Sequence, residues 1–310
     1  MPRLRRTHPS AVVIALFALA VVASARAGEL DQQLRSKYQG KVFLLRGFYS
    51  SDKLHYDSSG QPENANSGSW TVDGFVRVHD IHFSGDRLFI KGQRMVVVWL
   101  DRKEFELRPK LRGTPGRSVS ETVQVEIKAD SGMHNASAEQ VDAIASRIFL
   151  TSQDSLADLI PDYWKPCVTG GLRGTDKNCA FAAEIVAIPG IPPSNANDAS
   201  TAPVTDGDLN GAPAMAGSFR KDMSPPRLTY HQEPEFSESA RAAKFQGTVV
   251  LKLVVNKEGA PTKIRISQPL GYGLDEKAVQ AVSEWKFKPA EKDSQPVNTE
   301  IAVEVEFHLY

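Results

Sequence analysis

At 310 residues the chain is long enough for two domains, and its 41% hydrophobic content is ordinary for a globular protein. Its 37 basic and 37 acidic residues are interspersed, so it lacks both the charge footprint of a nucleic-acid-binding protein and a long-range field that would steer it onto a polyanion.

The first element is a targeting segment. Arg3, Arg5 and Arg6 precede an apolar run from Ala11 to Val22, which is followed by the small-residue site Ala25-Arg26-Ala27. This pattern predicts a signal peptide over residues 1–27, cleaved between Ala27 and Gly28, and hence an exported protein. The alternative is an uncleaved anchor in the inner membrane, but the run is shorter than the roughly 20 apolar residues that cross a bilayer core. No cysteine lies near the cleavage site to accept a lipid.

Residues 28–187 read as a mainly antiparallel β domain with helices at its C-terminal end. Strands are expected over Val42 to Phe48, Trp70 to Val78, Arg87 to Lys91, Met95 to Leu100 and Thr122 to Lys128, separated by Gly, Asp and Ser clusters. Ser84-Gly85-Asp86 sits between Ile81-His82-Phe83 and Leu88-Phe89-Ile90 as a hairpin turn. Ser137 and Gln140 have the spacing of a capping box, and Val141, Ile144, Ala145 and Ile148 then share one helical face. A short helical stretch from Asp154 to Ile160 stops at Pro161.

Chemistry is sparse in this half. His79 and His82 lie three apart, which on a regular strand puts them on opposite faces, so they read as two solvated histidines rather than a metal site. Gly171-Leu-Arg-Gly-Thr-Asp-Lys lacks the Gly-Lys-Ser/Thr ending and the preceding strand of a phosphate loop, and there is no nucleophile elbow or His-Glu-x-x-His. We therefore expect no enzyme, no cofactor and no metal. In an oxidising compartment Cys167 and Cys179, which bound a turn-rich loop, are expected to form a disulfide; two buried thiols are the alternative.

Residues 188–224 are rich in Pro, Ala, Asn and Gly and nearly free of large apolar side chains, the composition of a flexible linker. The domain after it, residues 225–310, carries the strongest signals. An amphipathic helix is expected from Glu235 to Gln246, with Pro234 and Ser237 at its start and Gly247 as its stop. Val249, Leu251, Leu253 and Val255 give the next strand a committed core face. Asn256-Lys-Glu-Gly259 turns it into a return strand carrying Ile264 and Ile266. Leu274, Ala278, Ala281, Val282 and Trp285 mark a second helix. Finally Val297, Thr299, Ile301, Val303, Val305, Phe307 and Leu309 alternate along a terminal strand, so the order is helix, strand, strand, helix, strand and the fold class is α+β.

These motifs carry a resemblance. Glu233-Pro-Glu-Phe-Ser, Ala240-Arg, Ala243-Lys-Phe-Gln-Gly-Thr-Val-Val, the Asn256 to Gly259 turn, Gly273-Leu-Asp-Glu-Lys-Ala, Trp285-Lys-Phe-Lys-Pro-Ala and Val303-Glu-Val-Glu-Phe together resemble the TonB C-terminal domain. The first half is similar only in loose outline to uncharacterised exported domains fused to TonB-like tails. The resemblance implies an energy transducer for transmembrane transport that pairs an edge strand with an outer-membrane transporter in the periplasm of a Gram-negative-type cell. By that analogy the edge is the terminal strand, with Ile301, Val303, Glu304, Val305, Glu306 and Phe307 as partner-binding positions. Its apolar side chains are read as core, leaving the backbone and the outward Glu304, Glu306 and His308 for recognition.

Two departures bear on mechanism. A motor-coupled TonB is similar in having an N-terminal apolar run, but that run carries a Ser and a His on one helical face; here His8 precedes the run, so contact with an inner-membrane motor complex is not expected. In place of the family's proline-rich spacer stands a folded domain. The second expectation is thus a soluble periplasmic adaptor without energy coupling, binding another periplasmic protein or a second copy through edge strands.

Overall fold

The computed structural model describes residues 28–100, 105–128, 137–151, 154, 156–169 and 223–309. Residues 28–38 are helical (α1), and Leu30, Leu34 and Tyr38, spaced at helical intervals, turn one side of α1 into the core. There follow β1 (Val42–Leu44), a 3-10 turn (Arg46–Phe48), β2 (Lys53–Tyr56), α2 (Trp70–Asp73), β3 (Phe75–Ser84), β4 (Arg87–Trp99), β5 (Phe105–Pro109), β6 (Leu111–Arg112), β7 (Val119–Ser120) and β8 (Thr122–Lys128). The main sheet runs β1-β3-β4-β8-β2, with β5 also on β4, and its pairs are antiparallel except β2 with β8.

The expected hairpin at Gly85-Asp86 joins β3 to β4, with Ser84 paired to Arg87 and Gly85 in the left-handed region at φ 59°. Four expected strands differ in extent. The first ends at Leu44, because the chain turns at Gly47 with φ 74°. Trp70 to Asp73 form a helical turn, the Val72 and Asp73 N–H groups both donating to the Ser69 carbonyl, and the strand starts only at Phe75. The two segments Arg87–Lys91 and Met95–Leu100 are one strand, since Gly92 continues it where a Cβ would lie 2.5 Å from Val76 Cγ1.

Opposite Gly92 the register of β3 slips between Val78 and Asp80, leaving His79 as the inserted residue of a bulge. His79 is exposed, while His82 contacts Asp80 at 2.8 Å through Nδ1 and stacks on Phe89. Among the described residues no three His, Cys, Asp or Glu side chains are grouped to hold a metal.

The helices after the sheet are α3 (Ala138–Ile148), α4 (Leu156–Leu159) and α5 (Lys165–Thr169). Ser137 and Gln140 close the expected capping box on α3 reciprocally, which satisfies two N–H groups that the first helical turn leaves without partners. Of the expected linker, residues 188–222 lie outside the described residues, as do residues 1–27 with the cleavage site and Cys179.

The chain continues through β9 (Met223–Ser224), β10 (Arg227–Tyr230), α6 (Glu238–Ala243), β11 (Gly247–Val255), β12 (Pro261–Gln268), α7 (Leu274–Ser283), β13 (Lys286–Lys288), β14 (Ala290–Lys292), β15 (Gln295–Val297) and β16 (Thr299–Phe307). The expected helix-strand-strand-helix-strand order is thus the frame of this half, α6-β11-β12-α7-β16. Its sheet has the order β12-β11-β16, and Val249, Leu251, Leu253 and Val255 of β11 are buried on one face of it. Two ribbons, β10-β13 and β15-β14-β9, flank this frame. They shorten the expected terminal strand, because Val297 belongs to a hairpin with Ala290 and β16 begins at Thr299. The short α6 is capped by Ser237, which accepts from the Ala240 N–H, and it ends at Lys244 in the left-handed region rather than at Gly247.

Gly259 shows why the first turn and the Trp285-Lys-Phe motif occur together. Its φ is +81°, and an added Cβ would fall 1.9 Å from the Phe287 carbonyl oxygen, while the Phe287 N–H donates to the Gly259 carbonyl at 2.9 Å. Only a residue without a side chain fits between the hairpin tip and β13. Asn256 Oδ1 completes the turn by accepting from the N–H groups of Glu258 and Ala260.

Candidate functional site

The sheet β12-β11-β16 has two edges, and the chain treats them differently. Along β12 the Ile266 N–H donates to the Tyr163 carbonyl at 3.0 Å, and the buried Cys167 Sγ lies 3.7 Å from the Ile266 carbonyl oxygen. The segment leading into α5 therefore covers that edge. Along β16 the strand pairs with β11 over its whole length, from Thr299 against Val255 to Phe307 against Gly247, and among the described residues it has no strand on its other side. In an antiparallel pair alternate residues direct their N–H and C=O away from the partner, so β16 offers a row of backbone donors and acceptors.

Every partner-binding position expected from sequence lies on this edge strand. Val305 and Phe307 are buried, and Phe307 packs edge-on against Phe236 with ring centroids 5.6 Å apart. Ile301 and Val303 are half-buried on the same face, while Ala302, Glu304 and Glu306 are exposed on the other. Directly across on β11, Glu304 faces Val250 and Glu306 faces Thr248. Glu300 reaches Arg265 at 4.0 Å, and His308 Nε2 lies 3.3 Å from Glu306 Oε2.

A second feature was not read from the sequence: a polar seam joins the first half of the chain to the N-terminal end of α7. The Trp99 N–H donates to the Leu270 carbonyl and the Tyr272 N–H to the Val97 carbonyl, each at 3.1 Å, so the loop 270–272 extends the ladder at the end of β4. Gly271 allows this approach: at φ +104°, an added Cβ would stand 2.4 Å from the Val97 carbonyl oxygen. Nearby, the Leu111 N–H donates to Ser239 Oγ at 3.2 Å, and Ser237 Oγ donates to the Tyr272 carbonyl at 2.6 Å.

Two carboxyl groups lie at this seam. Asp275 accepts from the N–H groups of Leu270 and Gly271, both at 2.7 Å, and burial followed by the neighbouring Glu276 pushes its carboxyl up to about 7. Glu276 Oε1 accepts from Thr71 Oγ1 and from Trp164 Nε1, whereas its buried Oε2 has no hydrogen-bond partner; burial raises this carboxyl too. A cavity of about 340 Å³ lies alongside, lined by Lys110, Glu121, Ser237, Glu276 and Lys277 among others. Lys110 is already held by Asp73 at 2.5 Å and Glu121 at 3.0 Å. The Gly271-x-Gly273 pair and the adjacent acids at the start of α7 were the available signals for the seam.

Fold and edge define a class: a small α+β module whose sheet, among the described residues, has one edge without a neighbouring strand. Comparison with known families places the module more closely, since residues 232–309 match the family described as Gram-negative bacterial TonB protein C-terminal. Similar curated proteins are "Protein tonB2" of Pseudomonas aeruginosa, 31% identical over 81 residues, or 26% of this chain and 30% of that protein. Another is "Protein TonB" of Vibrio cholerae, 28% identical over 86 residues, or 27% and 35% of the two chains. The chain thus spans about a third of the length of these relatives.

Proposed function

We propose that the TonB C-terminal domain engages an outer-membrane transporter in the periplasm by accepting an extended transporter segment at β16, as a non-enzymatic partner in transport energy coupling. The asymmetry of the sheet carries this reading: the β12 edge is covered by the Tyr163 to Cys167 segment, whereas among the described residues no strand covers the β16 edge. Strand addition draws affinity from the main chain, which suits an edge with few exposed apolar side chains. The matched family and the two TonB relatives support the transport context. Within this reading residues 1–27 direct export, 28–187 form a docked β-rich domain, 188–224 are the linker, and Cys167 pairs with Cys179.

The test is site-specific photo-crosslinking in the native cell. A crosslinker at Glu304 should capture an outer-membrane transporter, and one at Lys263, exposed on β12, should not. Equal capture at both positions, or none at Glu304, sinks the reading.

A second reading has its own support, an adaptor in which the same edge binds a periplasmic partner without energy coupling. It is favoured by the seam, which ties the domain to a folded first half where the resemblance leads one to expect a spacer. No helix among the described residues is long and apolar enough to cross a membrane. N-terminal sequencing of the protein from its host separates the two: a start at Gly28 excludes coupling through a self-anchor, and an intact Met1 region in the membrane fraction excludes the soluble adaptor.

A further inference from the structure

We propose that the segment accepted by β16 alternates apolar with cationic residues, so that the acidic outer face of the edge selects its partner by charge. This inference rests on strand addition at β16 and adds the chemistry of the occupant. In a sheet, a residue on an incoming strand lies beside its opposite number and on the same face. Residues set against Ile301, Val303 and Val305 would therefore extend the apolar face, where Ile301 and Val303 are only half-buried and leave surface to cover. Residues set against Ala302, Glu304 and Glu306 would stand on the solvent face.

On that face the charges are unevenly placed. The cations Lys252 and Arg265 lie in the row of Ala302, since Lys252 pairs with both Ala302 and Arg265. The rows of Glu304 and Glu306 continue into Val250 with Gln268 and into Thr248, none of them cationic. His308 is the polar neighbour of Glu306, with Nε2 3.3 Å from Oε2 along the same strand. Among the described residues the two carboxylates thus stand on the unpaired edge of the sheet without a cation in their own cross-strand rows. Lys or Arg opposite them completes two charge pairs; Asp or Glu there sets like charges side by side. The alternation works in either strand direction, because its period is two.

The experiment uses the full-length chain and two fluorescein-labelled peptides of the same length, one alternating Val and Lys, the other Val and Glu, with binding followed by anisotropy. The cationic peptide should bind about tenfold more tightly at low salt, and the margin should shrink at high salt because the pairs are solvent-exposed. In the double variant Glu304→Lys/Glu306→Lys the preference should reverse, with the melting temperature checked to show an intact fold. Equal binding of the two peptides, a preference for the acidic one, or a preference unmoved by the double variant overturns the charge selection while strand addition stands. Binding of neither peptide to a folded chain overturns strand addition, and the inference with it.

Discussion

Glu276 Oε1, in the first turn of α7, accepts a hydrogen bond from Trp164 Nε1 at 3.2 Å across 112 residues of sequence. Trp164 is fully buried and meets Trp70 edge-on at 5.1 Å, and Thr71 donates to the same carboxyl oxygen. The carboxyl therefore gathers α2, the approach to α5 and α7 at one point. Removing it affects the joint between the two halves of the chain and not the open edge at β16.

The seam should make stability depend on pH. Asp275 is raised to about 7 and Glu276 is raised as well, both chiefly by burial. An unfolded carboxyl titrates near about 4, so between there and about 7 the folded chain binds more protons than the unfolded one. The contribution is therefore full at low pH and is lost as pH rises through the folded pKa. Melting temperatures followed by tryptophan fluorescence should fall from about pH 5 to about pH 8, and Glu276→Gln, which keeps the acceptor but cannot ionise, should flatten the curve. A wild-type profile flat over this range would show that the pair does not hold a proton.

Gly271→Ala should loosen the seam and leave the β12-β11-β16 sheet in place. The new Cβ would collide with the Val97 carbonyl oxygen 2.4 Å away, and the backbone φ of +104° is itself unfavourable for alanine. A loss of about 1–3 kcal/mol is expected from strain of this kind. Hydrogen exchange should quicken at the Trp99, Tyr272 and Ile266 amides, which bond across the seam, and stay slow in the pairing of β11 with β16.

Gly259→Ala should instead weaken the C-terminal domain itself. The alanine Cβ would meet the Phe287 carbonyl at 1.9 Å, so the hairpin tip must part from β13 and the bond from the Phe287 N–H is lost. Strain plus one lost hydrogen bond amounts to about 2–4 kcal/mol, readable as a lower denaturant midpoint. An unchanged midpoint would mean that the tip relaxes freely and that the glycine is not required.

The contrast between these glycines shows what was legible in the sequence. The frame of the C-terminal domain could be read because Val249, Leu251, Leu253 and Val255 alternate and Leu274, Ala278 and Val282 recur at helical spacing, both local consequences of burying one face. The capping box at Ser137 and the turn at Gly85 are likewise local. Gly92 misled, because a glycine that reads as a break serves a close approach within one strand. The seam was hidden for a related reason: Gly271, Asp275 and Glu276 have partners that lie more than a hundred residues away, or a burial that only tertiary packing creates. Which edge stays open was likewise invisible, since it depends on where the Tyr163 to Cys167 segment comes to rest.

The open edge itself can be tested with two adjacent prolines. Neighbouring residues on a strand point their N–H groups to opposite sides, so of Ala302 and Val303 one donates toward β11 and the other toward the vacant side. Proline removes that donor. Of the variants Ala302→Pro and Val303→Pro, one should lose about 1–3 kcal/mol of stability through the broken ladder bond and its orphaned acceptor. The other should melt within a few degrees of wild type and yet bind a transporter-derived peptide at least about tenfold more weakly, one lost main-chain hydrogen bond with its orphaned acceptor accounting for that factor. The pair serves as its own control, because a fold defect and a recognition defect fall on different variants. If the stable variant binds as tightly as wild type, the main chain of β16 is not the recognition surface.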